Sequence, residues 1–160
     1  MSGSSTAPKN HEGQLDLNRF FPYRLSTLDM AVSQAVAQLY SGRFNLSRQE
    51  WRIIAALGNH ESMSAKELAA YSSLEKMQVS RAISRLKEAD LILQQEDRDD
   101  RRYTRLSLSD QGRSVYRKIV PLVLAREEFI LSALSEEEQE QLMQLMDKVY
   151  QKALELQKWG

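Results

Sequence analysis

The chain contains no cysteine, which removes disulfides, thiolate redox sensing and thiolate metal sites together. Histidine is scarce as well: His11 and His60 stand far apart, with no pair at metal-ligand spacing. Only carboxylate-rich options remain for a metal, so none is expected. No glycine-rich phosphate loop and no helical His-Glu-x-x-His run occurs. Composition does not exclude a Ser-His-Asp set, but the serines fall mostly where helices begin. The acidic run from Glu136 to Glu140 reads as a solvated helix start favoured by the helix dipole, not as an acid/base pair. Neither an enzyme nor a cofactor is expected. No apolar run approaches the length of a membrane span, and no signal-peptide core follows the polar start, so the expectation is a cytoplasmic protein. Net charge is zero, and no global field draws the chain to nucleic acid.

What is present is an ordinary globular balance. The 160 residues are 42% apolar and 28% charged, enough for one domain with a core. Charge, however, is unevenly spread. Residues 63–125 hold 12 basic and 9 acidic side chains, whereas residues 126–160 hold 4 and 8. A binding face in the middle and an acidic far end fit that asymmetry.

The middle is organised around EKMQVSRAISRLKEAD. Val79, Ile83 and Leu86 recur at helical spacing, with Ala82 and Leu74 on the same side, so one stripe is apolar. The other side carries Met77, Gln78, Ser80, Arg81, Ser84 and Arg85. From Lys76 to Lys87 there are four basic residues and no acid. Such groups reach base edges and phosphates in a major groove, although arginine and lysine also solvate ordinary surface helices. Two short segments follow, Leu91 to Glu96 and Tyr103 to Leu108, the second alternating with strand period. Between them lies DRDDRR, too polar to pack, and the whole reads as a β-hairpin with a charged tip. Arg101 and Arg102 suit a narrow minor groove, with Arg98 as a further cation. Asp97 and Asp100 are expected to pair with the arginines and fix the shape of the hairpin. Ser64 opens the helix before the basic one and is a further candidate for DNA contact.

Taken in order, residues 1–16 read as a polar flexible tail. From Leu17 the pattern sets in, with Leu25, Leu28, Val32, Ala35, Val36 and Leu39 on one helical face and Pro22 near its start. Ser47 with Glu50 forms a capping box for a helix that should bury Trp51, Ile54, Ala55 and Leu57. Ser64 with Glu67 caps a short helix, and Ser72 with Glu75 should cap the basic one. Short helix, tight link and longer helix make a helix-turn-helix. After the hairpin a long helix starts at Ser109 and contains Pro121, expected to bend it. Ser135 with Glu138 caps the last helix, whose seam is Leu142, Leu145, Met146, Val149, Ala153 and Leu156. The fold class is mainly α: a winged helix-turn-helix with six helices and a two-stranded wing. The first and last two helices carry more apolar surface than a small winged-helix unit buries alone, which marks an interface.

The run DRDDRRYTRLSLSDQG, following a basic helix, resembles the wing signature of the MarR family of bacterial transcriptional regulators. Asp97, Asp100, Arg101 and Arg102 match its acidic-basic part, and Leu106, Leu108, Ser109 and Gly112 its strand and helix start. The resemblance extends along nearly the whole chain after Leu17. It implies residues 17–160 as one MarR-type domain, with 17–46 and 109–160 as dimerisation helices and 47–108 as the DNA-binding part. It further implies a two-fold homodimer on the double-stranded DNA of a palindromic operator, with recognition helices about one DNA turn apart. Lys76, Gln78, Ser80, Arg81, Ser84 and Arg85 would read bases or phosphates.

The segment RFFPYRLSTLD resembles family members that control breakdown of hydroxycinnamates and related aromatic acids. Phe21, Tyr23, Leu28 and Trp51 would offer apolar and ring surfaces, and Arg24 a fork for a carboxylate. The same rings and Arg24 also read as helix-start packing and a surface charge, and both readings stay open. The expected effector is a small aromatic acid or its coenzyme A thioester, releasing a repressor from DNA. A ligand-independent DNA-binding protein of the same fold and a helical protein-interaction adaptor are the alternatives.

Overall fold

The computed structural model describes residues 13–100 and 103–158. A 3-10 turn at Leu17–Arg19 precedes α1 (Phe21–Ser41), α2 (Arg48–Gly58), α3 (Ala65–Ser72) and α4 (Lys76–Glu88). The hairpin β1 (Ile92–Glu96) and β2 (Thr104–Leu108) follows, then α5 (Asp110–Leu131) and α6 (Glu136–Gln157). The fold is therefore a winged helix-turn-helix of six α-helices and a two-stranded antiparallel sheet, as the pattern of elements predicts. No helix among the described residues is long and apolar enough to cross a membrane. The chain divides into two compact units, Met1–Val120 and Pro121–Gly160, with Pro121 inside α5.

Capping chemistry sets most helix starts. Ser47, Ser64 and Ser135 each accept from the backbone N–H three residues on, and Glu50, Glu67 and Glu138 each accept from the cap's own N–H. The basic helix departs from expectation. Ser72 is not its cap but the last residue of α3, and its hydroxyl donates to the carbonyl of Leu68. Ser73 then turns left-handed at φ 52°, and Glu75 is the cap of α4, its N–H donating to the Gln78 side chain.

The core of the first unit is built from α2, α3, α4 and the strands. Ile53, Ile54, Leu57, Leu68, Val79, Leu86 and Leu106 are fully buried, and Ile119 of α5 joins them. On α2, Ile54 and Leu57 are buried as expected and Ile53 and Ala56 join them, whereas Ala55 is half-buried and Trp51, also half-buried, stacks on Tyr40 of α1 at 5.9 Å. On α4, Val79, Ala82 and Leu86 are buried, while Ile83 is only half-buried.

The predicted apolar faces of α1 and α6 exist but are not covered within the chain. Leu25 and Leu28 of α1 are exposed, and Tyr40 is its only buried residue. Leu145, Met146, Val149 and Leu156 of α6 are exposed, and that helix buries no residue.

Candidate nucleic-acid interface

Strands β1 and β2 pair antiparallel, with Ile92 opposite Leu108 and Glu96 opposite Thr104. Side chains alternate as a strand requires: Leu106 and Leu108 point into the core, while Arg105 and Ser107 lie on the opposite face. The base of this wing is tied to the helix-turn-helix at three places. Met63 exchanges both backbone hydrogen bonds with Leu106, at 2.9 and 2.8 Å. Arg105 spends its fork on the same loop, donating to Ser62 Oγ (3.1 Å), the Ser62 carbonyl (2.7 Å) and Glu67 Oε2 (2.8 Å). Ser109 donates its hydroxyl to the Asp90 carbonyl and accepts from the N–H of Gly112, locking the start of α5 against the turn before β1. Gly112 is required there, because a Cβ would lie 1.9 Å from the Leu91 carbonyl oxygen.

The Glu67 carboxylate thus serves two partners. Its bond to the Ser64 backbone N–H, first, and the Arg105 guanidinium beside it hold its pKa below the ordinary value of 4.5. A lowered carboxyl pKa contributes stability that is complete above the unfolded value and is lost as pH falls through the folded one. A carbon-13 titration is therefore expected to find Glu67 below 4.5 in the native chain and higher in Arg105→Ala.

Between α3, α4 and the wing runs an open groove of about 860 Å³. Its walls carry Lys66, Lys76, Lys87 and Tyr103, and its floor is Val79, Ile83 and Leu106. Lys87 also donates to Gln94 of β1 at 2.6 Å, bracing the helix against the strand. A cationic channel with a narrow apolar floor suits a sugar-phosphate strand, whose charge the lysines neutralise without reading sequence. Lys66, Lys87 and Tyr103 were not among the expected contact residues. Lys76, Ser80, Ile83, Ser84 and Lys87 do recur at helical spacing, and that second stripe of α4 was the available signal.

The expected contact residues fall into three groups. Lys76, Ser80, Arg81, Ser84 and Arg85 are exposed on α4, and Arg81 has no carboxylate partner among the described residues. Ser84 donates to the carbonyl of Ser80, which leaves its lone pairs free. Two of them have other employment. Gln78 accepts from the Glu75 N–H as part of the α4 start, and Ser64 is the cap of α3. At the wing, Arg98 is exposed, and Asp97 Oδ1 accepts from the N–H groups of Asp99 (2.8 Å) and Asp100 (3.3 Å). Asp97 shapes the loop through its backbone, a carboxylate-capped turn. Arg101 and Arg102 lie outside the described residues, as does any pairing of theirs with the aspartates.

The expected ligand residues are not gathered around one cavity. Phe21, Tyr23, Arg24 and Leu28 are exposed along the first turns of α1, whereas Trp51 packs on Tyr40 near the other end of that helix. His60 Nδ1–H donates to the Ala56 carbonyl, and the ring sits edge-on to Tyr71. No group of three metal-ligating side chains occurs among the described residues.

A basic helix seated in a helix-turn-helix, with a hairpin pinned beside it and a cationic groove between, defines a winged-helix DNA-binding protein. Residues 44–102 match the family model described as MarR family. Over that segment the chain is similar to MarR family transcriptional regulators. It is 26% identical over 128 residues to the transcriptional regulator PecS of Dickeya dadantii, covering 78% of this chain and 76% of that one. Its fold is shared with a MarR/EmrR family transcriptional regulator from Acinetobacter sp. ADP1, at TM-score 0.80 and 24% identity, over 88% of this chain and 99% of that one. It is shared equally with BpsR of Bordetella bronchiseptica, whose DNA binding is regulated by 6-hydroxynicotinic acid. There the TM-score is 0.78 at 19% identity, covering 86% and 98%.

Proposed function

We propose that the chain acts as a homodimeric repressor that leaves a palindromic operator when a small aromatic carboxylate, or its coenzyme A thioester, binds. The observation that carries the DNA part is the exposed cationic surface of α4 and its groove, held beside a wing whose base is fixed by Arg105 and Met63. Arg81 and Arg85 are assigned to bases or phosphates, Ser80 and Ser84 to hydrogen bonds with either, and Lys76 to phosphate. Arg101 is assigned to the minor groove, with Asp97, Asp100 and Arg102 shaping the wing.

The dimer reading rests on the uncovered apolar faces of α1, of the second half of α5 and of α6. Residues 17–46 and 109–160 supply the contacts, and residues 47–108 meet DNA. For the effector, Phe21 and Tyr23 offer rings, Arg24 a carboxylate fork, and Leu28 and Trp51 apolar surface. The regulation of BpsR by a hydroxylated aromatic acid supports that class. Release requires that the effector bind more tightly to a dimer whose recognition helices no longer match the half-site spacing.

Binding to a duplex from the chain's own upstream region, titrated with p-coumarate and with its coenzyme A thioester, tests this reading. Relief of binding by either compound supports it. A complex that neither compound shifts leaves a ligand-independent regulator. In the same assay Arg101→Ala is expected to weaken binding by about tenfold at matched salt, with an unchanged melting midpoint. Equal affinity would remove Arg101 from the interface.

A further inference from the structure

Glu50 is the one charged side chain that is buried among the described residues, at 5% exposure. Its Oε2 accepts from the backbone N–H of Ser47 and closes the first turn of α2. That role needs one oxygen. The other, Oε1, lies 3.2 Å from Nε of Arg85 on α4, 35 positions later in the chain. A carboxylate withdrawn from water is strongly penalised unless a cation stands against it, and Arg85 is the cation supplied.

Arg85, by contrast, is not withdrawn from water: its side chain is 68% exposed. The ion pair is thus lopsided, a buried anion behind an exposed guanidinium. A free surface arginine moves among many rotamers and must give that freedom up on binding. Held at Nε from within the protein, Arg85 keeps its outer Nη groups available in a restricted set of orientations. Arg81 lies one helical turn before it, also exposed.

We propose that Glu50 is a positioning residue for DNA recognition, orienting the Arg85 guanidinium so that its outer edge meets a phosphate or a base. The inference rests on α4 being the DNA-facing helix, and it makes α2 part of the readout although Glu50 never touches DNA. It also has a sign that electrostatics alone does not share. Removing a negative charge beneath a DNA-binding surface should tighten binding to a polyanion. Removing a positioning group should loosen it.

Glu50→Gln separates the two, because the amide oxygen can still accept from the Ser47 N–H while the countercharge to Arg85 is gone. The full chain, Glu50→Gln, Arg85→Ala and the double variant would be bound to the upstream duplex and to a scrambled duplex of equal composition. Melting midpoints would be recorded alongside. Glu50→Gln is expected to weaken binding to the upstream duplex about fivefold, with the scrambled duplex unchanged for a base contact and equally weakened for a phosphate contact, and to add nothing in the Arg85→Ala background. Tighter or equal binding by Glu50→Gln overturns the proposal. So does an equal loss in the Arg85→Ala background, which would place the effect in the fold. Because a buried substitution can fail to fold, Arg85→Lys reads the pair from its exposed end. It keeps the charge without the fork, and is expected to bind the upstream duplex as weakly as Arg85→Ala. Full affinity there overturns the proposal as well. If Arg85→Ala binds like the native chain, the positioning idea falls while the regulator reading stands; if the native chain does not bind, the regulator reading itself has failed.

Discussion

Gly112→Ala is expected to destabilise the protein by about 3 kcal/mol, the upper range for forcing an extra methyl into a packed site. The new Cβ would stand 1.9 Å from the carbonyl oxygen of Leu91 and 2.9 Å from its carbonyl carbon. These are backbone atoms, and the same carbonyl already accepts from the N–H of Ser109 at 3.0 Å. Relief therefore has to come from moving α5 away from the turn that leads into β1. In a chain of this size such a loss lowers the melting midpoint by roughly 10 °C. Gly42→Ala is the matched control, since its Cβ would meet nothing closer than 3.8 Å. Circular-dichroism melts of the two variants should separate clearly. Coincident melts would mean that α5 is not packed where the structure puts it.

Arg81→Ala is expected to carry the largest single loss in DNA affinity, about tenfold or more for a contact to a base edge or phosphate. Arg81 sits in the middle of α4, exposed, beside Val79 and Ala82, which anchor that turn in the core. The alanine removes a charge from the surface and no contact from the interior, so the melting midpoint should hold. A competition assay distinguishes its two roles. Loss confined to the upstream duplex indicates a base contact, whereas equal loss on all DNA with a shallower salt dependence indicates phosphate. No loss on any duplex would remove Arg81 from the interface.

Much of this fold was legible because its signals are local. The capping boxes at Ser47, Ser64 and Ser135 announce three helix starts through groups only three residues apart, and the alternation of Thr104, Leu106 and Leu108 announces a strand. The start of α4 was misplaced because Ser72 with Glu75 reads as a capping box, whereas Ser72 ends α3 and Glu75 itself caps α4. On α2 Ile54 and Leu57 are buried as read, but Trp51 is only half-buried because it found a ring to stack on in α1, and periodicity does not encode that partner. The site divides in the same way. The stripe of Arg81, Ser84 and Arg85 could be read from spacing on one helix. Arg105 was not among the expected site residues, and its fork closes on Ser62 and Glu67, some forty positions upstream. Glu50 looked like a cap alone, and its second partner is on another helix. Lys66 reaches the groove only because α3 packs on α4. Contacts of that kind arise from tertiary packing, and the linear pattern carries no trace of them.

The central claim is that the surface of α4 and the wing is a DNA-binding face. The most direct test is fluorescence anisotropy with the upstream duplex at about 50 mM and about 200 mM salt, using the native chain and the Arg81→Ala, Arg85→Ala double variant. A dimer neutralising several phosphates per subunit should lose roughly a thousandfold or more in affinity between those conditions. The double variant should bind weakly at both, with a shallower salt dependence. Native binding that ignores salt, or a double variant that binds as well as the native chain, would contradict the claim.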